Sequence, residues 1–347
     1  MPAPRSPSTP IPAIDALLEA GELRHQRRSA GRDRTERIPP PENEIHPQRQ
    51  RRVSKSRVEI VRAPGWNAWP WLLHGFSTRT GGVTTAYRPG QKAGELNLGF
   101  SASDERDKVL ENRRRFLEAL GAPLSMELVT LKQIHSSNVL RVGSSNTAGA
   151  EPCQGDALMT DRPGVLLAIQ TADCIPVLVA DVKKQAVAAF HAGWRGTVKR
   201  IVENGVGQLR VAFGSRPEDL IAAIGPGIGA CCYAVGEEVR SEFTSQFAYA
   251  SDLFFEVSDH EPIREKYPML FLTARAPGHS NLGPSLHLDL IEANRRQLLD
   301  AGLQPDAIRQ IGDCTRCQNN RYFSYRAEQG FTGRMLSAVG INSSSRG

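Results

Sequence analysis

The chain has 347 residues, 40% hydrophobic and 23% charged, with a net charge of +6, which is enough apolar material for one large domain with its own core. The charge is uneven: residues 1–57 carry twelve Lys or Arg against seven Asp or Glu, so the remainder is near neutral and a nucleic-acid partner is not indicated. No segment approaches 18 continuous apolar residues, which excludes a membrane-spanning helix, and six cysteines in so long a chain do not make a disulfide scaffold; reduced thiols and a cytoplasmic setting are expected.

In chain order, residues 1–57 read as a basic leader rich in Pro and Arg, expected to be disordered apart from a short helix around Ile14–Leu23. The leader lacks the apolar core of a secretory signal, and its acidic residues argue against a transit peptide. Residues 58–343 read as one folded domain. Strand-like runs fall at 58–62, 72–78, 127–134, 138–142, 165–170, 175–181, 186–191, 220–224 and 308–311. "SDERDKVLENRRRFLEALG" predicts a helix capped by Ser103 or Asp104, with Val109, Leu110, Phe116, Leu117 and Leu120 on its buried stripe and Gly121 as its stop. Two further helices are predicted, one from Thr197 to Gly214, weakened by two internal glycines, and one from about Asp289 to Gly302. Strands that are both adjacent and separated by helices indicate an α/β fold, a mixed sheet covered by helices.

The stretch "QTADCIPVLVADVKKQAVAAFHAGWRG", residues 170–196, is apolar with a polar cluster at each end. It reads as a hairpin. A turn centred between Val182 and Lys183 sets Cys174 directly opposite His191, with Cβ atoms roughly 4.5–5.5 Å apart. That is the separation of two ligands on one metal, or of a thiol and its base. Each residue taken singly has a plain structural reading, as a buried cysteine and a strand-end histidine. A further histidine, His135 in "LKQIHSSNVLRV", ends another strand-like run just before a Ser-Ser turn. "CTRC", with Cys314 and Cys317, has the spacing of a redox or zinc pair, but without a second CxxC a structural role is the simpler expectation.

The motifs "HGFSTRTGGV", "NLG", "QIHSSNV", "GDALMTDRPGVLLAIQTADCIPVLVAD", "AAFHAGWRG", "IGPGIGACCYAVG", "LDLIEANRRQL" and "GDCTRCQNNRYFSYR…TGRM" occur in this order. Together they resemble the YfiH family, whose members are described as laccase-like multicopper polyphenol oxidases, peptidoglycan editing factors and purine nucleoside phosphorylases with adenosine deaminase activity. The resemblance covers roughly residues 70–341. It implies a single three-layer α/β domain whose metal is held by His135, Cys174 and His191. Two imidazoles and a thiolate suit a tetrahedral zinc with its fourth position open, the arrangement of catalytic sites; copper is the alternative metal.

A four-copper laccase needs a blue-copper site and a trinuclear cluster built mainly from imidazoles. This chain has eight histidines, of which His25 and His46 lie in the leader, while His74, His260, His279 and His287 show no His-x-His spacing, so copper oxidation is the lesser reading. A zinc-dependent purine nucleoside phosphorylase, acting on a nucleoside and phosphate, fits better, with adenosine deamination as a possible second activity. Asp173 is a candidate for proton transfer. Arg79, Arg326 and the glycine-rich "IGPGIG", including Gly225 and Gly227, are candidates for substrate and phosphate contacts. Asn97 and Gln133 are expected to orient neighbours, Trp194 to pack beside the site, and Cys231 and Cys232 to pack in the interior. Two positions depart from the family pattern: Ala234 stands where an acid is usual and Ala327 where Arg is usual. The competing chemistry makes Cys174 a nucleophile activated by His191, a hydrolase or editing factor acting on cell-wall precursors. A non-enzymatic binding protein is the third reading. Nothing in the sequence fixes the oligomeric state.

Overall fold

The strands of the domain divide between two stacked sheets. A computed structural model describes residues 57–88, 90, 93–143, 153–257 and 285–343, which fall within one compact unit, Ser54–Gly347. The leader before Arg57 lies outside the described residues, as do His25, His46, His260 and His279. The five-stranded sheet comprises β1 (Ile60–Val61), β2 (Leu72–Ser77), β4 (Glu127–Val129), β7 (Val165–Thr171) and β14 (Met335–Ile341), in the order β1-β2-β14-β7-β4. The six-stranded sheet comprises β5 (Val139–Arg141), β6 (Ala157–Thr160), β8 (Ile175–Asp181), β9 (Ala186–Ala192), β10 (Leu220–Ile224) and β13 (Ile308–Gln310), in the order β13-β10-β8-β9-β6-β5. The short strand β3 (Thr80–Thr84) bridges to Glu95 through Thr80 and Thr84, and β11 (Phe254–Val257) pairs with β12 (Ser285–Leu288) as a separate ribbon.

Alternation along the strands explains why the runs read as continuously apolar. Leu167, Ile169, Val339 and Ile341 meet Leu178, Ala180, Val187 and Ala189 between the sheets. Their neighbours Leu166, Ala168, Leu336 and Ala338 face helix α1 (Arg106–Leu120) through Phe116 and Leu120. On the far side, Val177, Val179, Ala188 and Phe190 pack under α3 (Ile201–Phe213), α4 (Glu237–Gln246) and α5 (Leu290–Asp300). Both faces of both sheets are covered, so every position of β8 and β9 is buried. The α/β character with outer helices is as expected. The single mixed sheet becomes two, so the stack runs helix, sheet, sheet, helix, one layer more than three.

Local departures have local causes. Helix α1 is capped by Glu105, one residue later than Asp104, because the Asp104 carboxylate is taken by the Thr84 hydroxyl and the Asn97 amide, both at 2.7 Å. Leu110 is 46% exposed and leaves the expected buried stripe. The helix predicted over 197–214 is broken: α2 (Trp194–Val198) ends before Arg200, whose φ of 58° is left-handed, and α3 follows. Gly205 within α3 has a steric reason, since a Cβ there would stand 1.9 Å from the Phe190 ring. Strand β14, at the centre of its sheet, escapes the pattern reading because Ser337 and Gly340 interrupt its apolar run.

Candidate metal centre and active site

The hairpin β8–β9 pairs Pro176 with His191 and Ile175 with Ala192, a shift of two residues from the expected register. The turn is wider than the sequence suggests. Asp181 pairs with Ala186, its carboxylate accepts from the Lys183 and Lys184 amides at 2.8 Å each, and Gln185 closes the loop at φ 52°. A shift of two preserves the face of the sheet, so Cys174 and His191 still share one side, diagonal rather than opposed. Extending the ladder by one step puts Gly193 across from Cys174. A Cβ on Gly193 would stand 3.0 Å from the Cys174 sulfur and 3.2 Å from the His135 ring, so a glycine is what lets the three side chains close together.

His135, Cys174 and His191 converge with their donor atoms within 4.8 Å of one another. The two imidazoles lie 5.1 Å apart at 71°. His135 has φ 56° and Asp173, next to Cys174, has φ 88°, two left-handed non-glycine residues at one site. His135 is exposed, Cys174 half-buried and His191 buried, so the cluster opens to solvent on the His135 side.

One buried carboxylate organises the cluster. Asp156 accepts from the amides of Ile134 (3.2 Å), His135 (3.0 Å) and Ser136 (2.6 Å), from the Ser136 hydroxyl (2.7 Å), and from His191 Nδ1 (2.8 Å). Burial alone would raise its pKa, but the His191 and Ser136 hydrogen bonds outweigh burial and hold it well below the usual carboxylate range. With Nδ1 engaged, His191 presents Nε2 to Cys174, the carboxylate–histidine arrangement that fixes a ligand's tautomer. Between Cys174 and His191, burial opposes both charges, yet their mutual attraction and the His135 hydrogen bond lower the thiol, while the thiolate and Asp156 raise the imidazole. A ready thiolate with two oriented imidazoles fits a metal ion.

The other expected residues fall into two groups. Asp173 lies beside Cys174, and its carboxylate accepts from the Thr315 hydroxyl and the Arg326 amide, both at 2.6 Å. The Arg326 side chain is exposed, donates to the Ala234 carbonyl at 2.9 Å and lies 5.4 Å over the Tyr233 ring. Burial, then the negative charges of Cys174 and Asp173, push the Tyr233 phenol upward, so it stays protonated in neutral solution. Tyr233 and Arg195, which stacks on Trp194 at 4.4 Å, join this edge of the site.

Arg79 stands elsewhere. It is 2% exposed and lies 2.6 Å from Glu95 and 2.9 Å from Glu328, with its guanidinium also donating to the carbonyls of Asn319 (2.5 Å) and Tyr322 (3.3 Å) and stacking 4.4 Å over Phe323. It therefore clamps the loop that delivers Arg326. Arg79→Met is expected to destabilise the fold by about 3–5 kcal/mol, the cost of leaving a buried carboxylate uncompensated, measured as a urea-unfolding midpoint. An unchanged midpoint would contradict the clamp.

The "IGPGIG" glycines serve close packing. A Cβ on Gly225 would meet the Phe76 ring at 2.2 Å, and one on Gly227 would meet Ile175 at 2.3 Å. The Gly225 amide donates to Pro176 and the Gly227 carbonyl accepts from Thr315, so both are spoken for by backbone. Gln133 exchanges two hydrogen bonds with the Gln170 backbone, at 2.8 and 2.7 Å, anchoring the strand end before His135. Asn97 instead ties Gly99, Asp104 and Arg334 together.

Cys231 is exposed and Cys232 half-buried, which corrects the expectation of interior packing. Among the described residues no third histidine joins the cluster: His74 is buried with Nε2 accepting from the Ala63 amide at 3.0 Å, and His287 donates to the Ala230 carbonyl at 2.6 Å. The motif reading passes over Asp156, Tyr233 and Gly193. Asp156 sits inside the quoted "GDALMTD", but only the tertiary meeting of that loop with 134–136 and His191 reveals its role.

The chain matches the family model described as multi-copper polyphenol oxidoreductase laccase over residues 73–342. It is 38% identical over 288 residues to a Deinococcus radiodurans protein named purine nucleoside phosphorylase, covering 82% of this chain and 93% of that one. It is 35% identical over 282 residues to purine nucleoside phosphorylase YlmD of Geobacillus stearothermophilus, covering 78% and 94%. The crystal structure of the Bacillus licheniformis protein YfiH superposes with a TM-score of 0.68 at 28% identity, covering 84% of this chain and 98% of that one. With the match running through both sheets and across all three residues of the cluster, the chain belongs to the multi-copper polyphenol oxidoreductase laccase family, that of the YfiH and YlmD proteins.

Proposed function

We propose that this protein is a zinc-dependent purine nucleoside phosphorylase, transferring a ribosyl group from a purine base to phosphate. The observation that carries this reading is the convergence of His135, Cys174 and His191 within 4.8 Å, on a solvent-facing rim, in a chain whose relatives are named for that activity. A zinc ion held by these three residues would supply a Lewis acid with one position open to substrate. The donor set, with a lowered thiol and the His191 imidazole aimed by Asp156, suits zinc.

The remaining work belongs to side chains around that rim. The exposed guanidinium groups of Arg326 and Arg195 can draw phosphate to the mouth. A phosphate oxygen then bonds to C1′ of the ribose, the C1′–N9 bond breaks with its electron pair leaving on the base, and a proton returns to the base nitrogen. Tyr233, kept neutral by burial and its anionic neighbours, is placed to donate that proton or to hydrogen-bond the purine. Asp173 holds Thr315 and the Arg326 backbone, and so fixes the cationic loop against the cluster. Arg79 supports the same loop from behind and does not meet phosphate. The same constellation could direct water to C6 of adenosine, giving inosine. The setting is taken as cytoplasmic; no helix among the described residues is long and apolar enough to cross a membrane.

Adenosine incubated with the purified chain should yield adenine and ribose 1-phosphate only when phosphate is present. Inosine with ammonia, independent of phosphate, would mark deamination. Metal-loaded protein that forms neither product contradicts the purine reading. One observation favours a second chemistry: Asp156, His191 and Cys174 form a relay in which the thiol falls to about 6, the layout of a cysteine nucleophile. Rapid alkylation of Cys174 in metal-loaded protein, with loss of activity, would support it.

A further inference from the structure

We propose that Cys231, Cys232, Cys314 and Cys317 form a second metal site, a closed tetrathiolate holding one structural zinc ion. The four sulfurs, from two pairs about eighty residues apart in sequence, lie within 4.8 Å of one another, with Cys232 and Cys231 at 3.4 and 3.6 Å from Cys317. All four are free thiols. Four sulfurs placed tetrahedrally at about 2.3 Å from one zinc stand about 3.8 Å from each other, so the cluster already has close to the size of a single-ion cage. A disulfide would need about 2.05 Å between two of them. A multi-iron cluster, with a separate iron behind each thiolate, would spread them wider.

The backbone is shaped for this. Cys231 and Cys232 sit in a turn in which the amides of Cys232 and Tyr233 both donate to the Gly229 carbonyl, at 2.9 and 3.1 Å. Cys314 and Cys317 sit in a second turn, where the Gln318 amide donates to the Cys314 carbonyl at 3.0 Å, the usual spacing of a zinc-binding pair. Gly229 lies between the turns, and a Cβ there would stand 3.3 Å from the Cys231 sulfur and from the Cys314 Cβ. The His287 imidazole fixes the first turn through the Ala230 carbonyl, and the Thr315 amide joins the turns through the Gly227 carbonyl at 3.0 Å. "CTRC" thus has its second pair in the adjacent cysteines of "CCYAVG", a spacing no CxxC search would find.

Four thiolates leave no open position, so the ion would hold structure and do no chemistry. Its position gives it a purpose. The first turn leads into Tyr233, and the second carries Thr315, which holds the Asp173 carboxylate at 2.6 Å. One ion would therefore tie together the two loops that frame the His135–Cys174–His191 cluster from one side.

The test is the zinc content of the full-length chain, purified without an affinity tag under reductant. A Cys174→Ala, His191→Ala double variant, unable to use the first cluster, should retain about one zinc per chain. Adding Cys314→Ser should remove it. Cobalt-loaded double variant should show sulfur-to-metal charge transfer of four-thiolate intensity. Releasing the zinc of the double variant with a mercurial, read by a chromophoric chelator, needs no change in the cluster and covers the case in which Cys314→Ser fails to fold. A double variant free of zinc, iron in its place, or cysteines recovered as disulfides despite reductant would overturn the proposal. Loss of zinc from the first cluster alone would count against the phosphorylase reading and leave this one standing.

Discussion

Cys174→Ala is expected to abolish phosphate-dependent cleavage of adenosine, lowering kcat/KM by about a thousandfold or more, the scale on which removing one member of a reacting unit disables the whole. The thiolate is the only anionic donor among the three converging residues, so its loss leaves two neutral imidazoles that hold zinc poorly. The fold should survive, because Cys174 lies just before β8, only half-buried, and alanine fits wherever cysteine does. Kinetics, first-cluster metal content and the urea midpoint of the same preparation separate these effects. A variant with ordinary activity would remove Cys174 from the site.

Asp156→Ala should damage both stability and metal binding. It strips the acceptor from three amides, a hydroxyl and an imidazole, all meeting at a carboxylate that is 0% exposed. Leaving these donors without an acceptor costs about 1–3 kcal/mol for each one that water cannot reach, and removing a ligand's orienting partner weakens metal affinity about 10–100-fold. Asp156→Asn should recover part of the stability but less of the affinity, since its amide nitrogen can only donate and the neighbours are donors too. The pH dependence has a definite sign. Because the folded carboxylate titrates below its ordinary value, its contribution is present above about pH 4 and fades as the pH falls. Equal acid sensitivity of wild type and Asp156→Ala would contradict that role.

Much of the fold was legible because its central strands are short, continuously apolar runs and its helices are amphipathic. The runs that became β7, β8, β9 and β10 are stretches made mainly of Val, Leu, Ile and Ala, and α1 ends at Gly121, φ 81°, as a left-handed stop requires. What the local pattern could not give was the division into two sheets, since burial on both faces makes strands of either sheet read alike. At the site, the pairing of Cys174 with His191 was legible through the face of the hairpin even though its register slipped by two. Arg79 shows the opposite failure: an arginine in a Gly- and Thr-rich loop looks like a phosphate ligand, and only the tertiary arrangement reveals two carboxylates already beside it. Asp156 and the four-cysteine cluster depend on segments meeting from distant parts of the chain, which no spacing rule encodes.

Anomalous diffraction at the zinc edge, from crystals of the wild-type chain, tests the central claim most directly. A peak about 2.3 Å from the Cys174 sulfur and about 2.1 Å from one nitrogen of each of His135 and His191 is the expected result. Density without such a peak, with the thiol turned from the imidazoles, would contradict a metal centre there and the phosphorylase reading built on it.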